Sequence, residues 1–444
     1  MTIVELFDEK PINNIVGILA FNPDKVIYVG GYTRKHFESK KLPILKKYLD
    51  RKGYSALDIE YVQVRRDSFK DIMEKFENIY SSDSGCVFHV EVTGGEDLIL
   101  IGLGALSQRH PDIELYQISS KLRTIRSFSL SADDGRKLDI ECRNTVEENL
   151  LLHGASIISA NGDETFPGGY RFDADFVHDI NIMWDICCRG SKNMVSPSAP
   201  NSWNKVTIML ASLNAEDPDR ENQNLLYIDA QRFKEEYMTS INGTLFYDYI
   251  CYFIRCDLLD CRIESEHAYI NFKNDQVRMC LTKAGLILEL KTYLICKKLM
   301  DSRDGDCLTS VTIDWDGDEN LASTIKYLYN LDDPDSTIDT TNEIDILATC
   351  GLIPYFISCK NGKFTSEELY KLYSVGEQFG KGYCQKIIVA TDLNHALGDA
   401  KNVILQRAVD MGIQIIEDVH KKTDDEIADE LKKVMELPKI KTCV

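Results

Sequence analysis

Short apolar runs alternate with longer amphipathic stretches, and that rhythm carries most of the organisation of this chain. In the first third, runs of strand length lie at 25–29, 59–64, 86–92 and 113–118, with a further short apolar run at 14–19. The stretches at 34–52, 69–80 and from Leu98 onward have helical spacing. Strands alternating with helices predict a parallel, doubly wound sheet. Between about 140 and 283 the pattern changes. Helical spacing recurs at 176–188 and 231–257, turn-rich segments occupy 161–169 and 196–202, and runs at 261–263, 267–272 and 276–281 read as a short β-ribbon. A second alternating pattern begins near 282. It predicts a helix from 284 to about 300, strands at 311–315, 343–349, 355–359, 386–390 and 413–416, and helices at 320–329, 365–379 and 397–411. Thr365 and Glu368 have capping-box spacing at the start of one of these helices.

The pattern thus divides 444 residues into three expected domains. Residues 1–138 form a Rossmann-like α/β unit. Residues 139–283 form a helical, winged-helix-like module, in which helices precede a two- or three-stranded wing. Residues 284–444 form a second α/β unit. Composition narrows the class: 44% hydrophobic and 27% charged residues are ordinary for a globular protein. No run of 18 apolar residues exists, so no membrane partner is expected, and the N-terminus lacks a basic and apolar leader, which predicts a cytoplasmic protein. A net charge of −20 argues against a nucleic-acid coat protein but leaves room for a nuclease or regulator with a small basic cleft. The fourteen cysteines include no Cys-x2-Cys pair and the eight histidines no His-x3-His pair, so the thiols are expected to be reduced and packed rather than zinc-bound.

Two constellations could carry chemistry. The first is a pair of glycine turns that directly follow strands: Gly30-Gly31-Tyr32-Thr33 and Thr93-Gly94-Gly95-Glu96-Asp97. Glycine turns at the carboxyl ends of parallel strands can line one crevice, and a helix N-terminus there offers backbone N–H groups to phosphates. The basic stretch 34–52, with eight Lys/Arg against two acids, lies next to the first turn. The stretch Gly376 to Lys381 is one residue short of a phosphate-binding P-loop and is rejected as one. The second constellation is Glu289, Asp345 and Lys360. Helical spacing puts Leu286, Tyr293 and Cys296 on the face of Glu289, so its carboxylate is expected to be partly buried. Such a carboxylate needs a partner or a metal. Adjacent antiparallel strands would let Asp345 and Lys360 face one pocket. Carboxylates that fix Mg²⁺ or Mn²⁺ beside a lysine suit metal-assisted phosphodiester hydrolysis. Asp314-Trp-Asp-Gly-Asp318-Glu319 lacks the EF-hand glycine and glutamate positions and reads as an acidic loop.

Both constellations carry a family resemblance. The segment Asn14-Ile-Val-Gly-Ile-Leu-Ala-Phe-Asn-Pro-Asp-Lys-Val26, followed by Thr93-Gly94-Gly95, resembles the CARF domain, the Rossmann-like sensor of CRISPR-associated proteins. That resemblance implies a homodimer binding cyclic oligoadenylate, first of all cyclic tetra-adenylate, across its interface through Gly30, Gly31, Tyr32, Thr33, Thr93, Gly94, Gly95, Glu96 and Asp97. Many relatives have Thr-Lys after the glycine pair, where this chain has Glu96-Asp97. Acids there would repel phosphates and would instead meet ribose hydroxyls or adenine amines. The C-terminal unit resembles the PD-(D/E)xK, restriction-endonuclease-like fold in the version joined to a CARF domain in type III CRISPR ancillary nucleases. The resemblance implies that Glu289 and Asp345 hold Mn²⁺ or Mg²⁺ and that Lys360 is the catalytic lysine. The family's second acid falls on Ser358, a neutral and weaker metal ligand, for which Glu343 would compensate. Single-stranded RNA or DNA would be the substrate. A ligand-responsive transcription regulator with a degenerate nuclease domain is the alternative that Ser358 keeps open.

Overall fold

The computed structural model describes residues 1–82, 88–119, 124–128, 143–190, 199–216, 224–237, 244–264, 267–315, 341–393 and 398–436. The predicted helix at 320–329, the acidic residues 316–319, the start of the strand at 86–92 and the first expected domain boundary lie outside these.

A six-stranded sheet forms the N-terminal unit. Its strands are β1 (Thr2–Leu6), β2 (Lys25–Gly30), β3 (Asp58–Gln63), β4 (Phe88–Glu91), β5 (Ile113–Ser119) and β6 (Thr124–Phe128), in the order β3-β2-β1-β4-β5-β6. All neighbours are parallel except β5 and β6. The predicted doubly wound sheet is therefore present, but its central strand β1 was not expected. Glu5 interrupts the apolar run of β1 and hides it from a hydrophobicity reading. The apolar run at 14–19 instead ends a 3-10 turn (Pro11–Asn14) and enters α1 (Val16–Phe21). Of the basic stretch 34–52, the part that forms a regular amphipathic helix is α2 (Leu42–Arg51), which buries Leu45, Tyr48 and Leu49. Helices α3 (Phe69–Ser82) and α4 (Asp97–Arg109) pack together over one face, through Ile72, Phe76, Ile99 and Leu103.

Next come α5 (Val146–Leu152), β7 (Ser156–Asn161), α6 (Ala174–Arg189), α7 (Ala199–Glu216), β8 (Leu225–Asp229), α8 (Ala230–Tyr237), α9 (Thr244–Arg255), β9 (Leu259–Ile263), β10 (His267–Phe272) and α10 (Asp275–Leu281). The small sheet is antiparallel, in the order β8-β10-β9. Two of its strands are those expected. The third is β8 and not 276–281, which is helix α10: Asn274 accepts the Val277 N–H at 2.9 Å and caps it. Of the expected helix 231–257, the described residues fall in helices α8 and α9, and residues 238–243 lie outside the described residues.

The C-terminal unit contains α11 (Leu286–Asp301), β11 (Asp306–Asp314), β12 (Thr341–Cys350), β13 (Ile353–Asn361), α12 (Ser366–Gly380), β14 (Gln385–Thr391), α13 (Lys401–Asp410), β15 (Ile413–Ile416) and α14 (Asp424–Met435). Its sheet runs β15-β14-β13-β12-β11-β7, so β7 joins from the segment expected to belong to the middle module. Strands β12 and β13 are antiparallel, whereas β13, β14 and β15 are parallel. One face packs on α11 and the middle helices, with Trp203, Phe253, Leu288, Ile346 and Ile357 in a common core. The other packs on α12 and α13 through Phe356, Leu372, Phe379 and Ile404. The N- and C-terminal units touch where Tyr383 donates to Asn13, and the segment of α5 meets the N-terminal unit where Tyr48 donates to Asn144 and Lys52 pairs with Glu148. No helix of the described residues is long and apolar enough to cross a membrane.

Candidate ligand cavity and catalytic pocket

In the N-terminal sheet, β1 leads outward to β2 and β3 on one side, while β4 lies on its other side. The crevice between the carboxyl ends of β1 and β4 is thus the topological switch point, where open α/β sheets hold ligands. A cavity of about 580 Å³ opens there. Of the residues expected from the sequence, Tyr32, Gly95 and Glu96 line it. Gly95 has φ 104°, and a Cβ would come within 2.6 Å of the Leu6 side chain, so the turn requires glycine. Its N–H donates to Asp8 at 3.1 Å, which ties the loop after β4 to the loop after β1. Gly31 lies under Arg66, and Gly94 lies against Asp8. Thr33 accepts the His36 N–H at 3.2 Å, and Asp97 opens α4, where an acid suits the helix dipole.

The cavity's cations are residues that sequence reasoning missed: Lys10, Arg66 and Lys381. Arg66 pairs with Glu96 at 2.9 Å and stacks 5.1 Å from the Tyr32 ring centroid. Glu96, the first of the two acids after the glycine pair, is therefore paired with an arginine from another loop. Asp8, Glu9 and Lys10 were missed because β1 was missed. Lys381 was dismissed with the failed P-loop, yet its Nζ donates to the Glu9 carbonyl at 3.2 Å, across the two units.

Beneath the turn lies a buried acid pair. Glu5 and Glu91 are register partners on β1 and β4, 0% and 1% exposed. Burial first, and then the Glu91 charge, raise the Glu5 carboxyl well above its ordinary value, although the Ile18 backbone and Tyr28 pull it down. Burial also pushes Glu91 up to about 8, against hydrogen bonds from Thr93. The Thr93 N–H donates to Glu91 at 2.7 Å, so this acid holds the first residue of the glycine turn.

In the C-terminal unit, Glu343, Asp345, Ser358 and Lys360 line one pocket, as antiparallel pairing of β12 and β13 predicts. Ser358 and the Cys359 N–H both donate to Asp345 Oδ2, at 3.1 and 2.6 Å. Glu289 approaches from α11 and is 6% exposed. Burial and then the Asp345 charge push its carboxyl up to about 7, while Ser310 and Thr309 hydrogen bonds oppose the rise. Thr309 Oγ1 lies 2.9 Å from both Glu289 Oε1 and the Asp345 carbonyl. Ser310 has φ 49°. Leu308 and Val311, three residues apart, nevertheless share one core face, which strict alternation forbids. The left-handed residue between them turns two consecutive hydroxyls toward Glu289.

Three further residues line the pocket from α12: Glu368, Lys371 and Leu372. Glu368 Oε2 lies 2.6 Å from Lys360 Nζ. The capping box expected of Thr365 and Glu368 does not form, because Thr365 makes no side-chain cap and Glu368 reaches Lys360 instead. The small separation in sequence between Lys360 and Glu368 was the one available signal. Among the described residues no three His, Cys, Asp or Glu side chains come together as a metal-binding group. Two carboxylates, Glu289 and Asp345, are in mutual electrostatic contact. This donor set fits a water-rich Mg²⁺ or Mn²⁺, which binds through one or two carboxylates and takes its other ligands from solvent and phosphate.

No family model matches the chain, and no curated protein matches it. Solved structures share its fold end to end. The crystal structure of protein VC1899 from Vibrio cholerae has a TM-score of 0.69 at 13% identity and covers 98% of this chain and 99% of that one. Can2 from Sulfobacillus thermosulfidooxidans, solved in complex with cyclic tetra-adenylate, has a TM-score of 0.64 at 13% identity over 98% of this chain and 97% of that one. The chain therefore has, across nearly all its length, the fold of these two proteins.

Proposed function

We propose that this protein is a cytoplasmic, homodimeric endonuclease of type III CRISPR defence, activated by cyclic oligoadenylate and dependent on Mn²⁺ or Mg²⁺. It would cut single-stranded RNA or DNA. The observation that carries this reading is the meeting of Asp345 and Lys360 in one pocket, with the Glu289 carboxyl in electrostatic contact with Asp345, in a chain whose sheet switch point opens a separate cavity. Cyclic tetra-adenylate is the first ligand to test, since Can2 shares the fold and was solved with it.

Glu289 and Asp345 would hold the metal, which supplies Lewis acidity and a water of lowered pKa when bound. Ser358 and the Cys359 N–H fix the orientation of Asp345 through one of its oxygens. Lys360, and Lys371 beside it, present positive charge to a substrate phosphate. In the cavity, Tyr32 offers an aromatic face for stacking, and Lys10 and Lys381 offer charge to phosphates. Lys360→Ala and Asp345→Ala are each expected to abolish cutting and to leave cyclic tetra-adenylate binding intact in calorimetry. Full cutting by either variant would refute the site assignment.

A second reading has two observations in its favour. Ser358 replaces an acid, and the described residues gather no three-acid metal group. A ligand-responsive transcription regulator would need no more. Sequence-specific duplex binding without cutting would establish that reading instead.

A further inference from the structure

Helix α12 reaches both sites. Its fifteen residues span about 22 Å at 1.5 Å per residue. The first turns put Glu368 and Lys371 into the catalytic pocket, and the last turn and its cap put Glu377 and Lys381 into the switch-point cavity. The helix lies close on the adjoining strand. A Cβ on Gly376 would come within 2.7 Å of Lys386, and one on Gly380 within 2.3 Å of Cys384. Lys386 Nζ also pairs with Glu377 at 2.6 Å. Such packing passes a displacement at one end to the other rather than absorbing it.

Each end makes a contact that a bound molecule would compete with. Lys381 Nζ donates to the Glu9 carbonyl, a neutral acceptor, across the cavity. A phosphate is the stronger acceptor. At the far end Lys360, which the proposed chemistry needs, is held by Glu368 at 2.6 Å. The space around that pair is about 20 Å³, enough for roughly one water and no phosphodiester.

We propose that α12 couples the two sites, with Lys381 as a ligand-binding residue supplied by the C-terminal unit and Glu368 as the positioning residue that holds Lys360 until the cavity is filled. The coupling rests on the functional reading above. An anionic occupant that draws Lys381 from Glu9 shifts α12, and the shift parts Glu368 from Lys360. The ligand drives the change by its higher affinity for the shifted arrangement.

The test uses the full-length protein, cyclic tetra-adenylate, Mn²⁺ and labelled single-stranded RNA and DNA, with cutting measured with and without the ligand. Glu368→Gln is expected to raise ligand-free cutting about tenfold, a size usual for one allosteric coupling, while Glu368→Asp restores gating. Lys381→Ala is expected to lower the ratio of stimulated to ligand-free cutting about tenfold, and Lys381→Arg to preserve it. Hydrogen exchange on the wild type is expected to change at 366–372 and at 377–381 together when ligand is added. Gating by Glu368→Gln equal to wild type, or exchange that changes at one end only, overturns the coupling and leaves the functional reading standing. A wild type that binds no cyclic tetra-adenylate, or cuts equally without it, overturns the functional reading and the coupling with it.

Discussion

Glu5 sits in the middle of β1 with Glu91 beside it on β4, and both carboxyls are raised by burial. The titratable groups facing them are Asp8, after β1, and the neutral phenol of Tyr28, on β2. Between the ordinary glutamate value of 4.5 and about 8 the folded protein binds more protons at this pair than the unfolded chain does. Stability contributed here is therefore full below pH 4.5 and is lost as pH rises through about 8. Glu5→Gln removes one of the two charges, so the gap in Tm between variant and wild type should widen in the variant's favour from pH 5.5 to pH 8.5. A gap independent of pH would mean that the pair does not titrate in this window. The same residue explains a failure of sequence reading, since a buried acid in a strand breaks the apolar run that would reveal it. Glu289 was legible because apolar neighbours at helical spacing surrounded an acid. Glu368 was not, because its spacing from Thr365 suited a cap that its contact with Lys360 displaces.

At the scale of elements, long periodic segments matched the structure best. Strands β2, β3, β5, β12, β13 and β14 fall where β-branched and apolar runs predicted them, and α11 fills its expected span. Segment 276–281 failed because a capping asparagine decided its state, and no periodicity in six residues could compete. The turns are the elements on which the ligand cavity depends. Gly95 combines φ 104° with a Cβ position 2.6 Å from Leu6, so any side chain strains both the turn and β1. Gly95→Trp is expected to weaken cyclic tetra-adenylate binding by at least about tenfold in calorimetry, roughly 1.4 kcal/mol. Unchanged affinity would place the ligand elsewhere. In the C-terminal sheet, the left-handed Ser310 sets two hydroxyls on Glu289. Ser310→Val removes one of them and puts a β-branched residue at φ 49°. It should lower cutting while leaving ligand affinity unchanged. Wild-type cutting by that variant would show that Glu289 needs no such support.

Across the whole molecule, the units built on the two six-stranded sheets are joined by α5, by the contacts of Lys52 and Tyr383, and by the cap of α12. The existence of two α/β units was readable from alternating hydrophobicity. Their union was not, because it depends on polar contacts between residues more than ninety apart in sequence, such as Tyr48 with Asn144 and Lys381 with Glu9. No local pattern records such pairs. For the same reason the sequence pointed to each site separately and said nothing of what lies between them.

In the proposed function, cavity occupancy licenses phosphodiester cleavage at Lys360. One assay addresses it directly: labelled single-stranded RNA and DNA with Mn²⁺ or Mg²⁺, with and without cyclic tetra-adenylate, beside Lys360→Ala. Cutting that requires both ligand and metal, and that vanishes in Lys360→Ala, is the predicted result. Ligand binding without cutting of either nucleic acid under any of these conditions would contradict it.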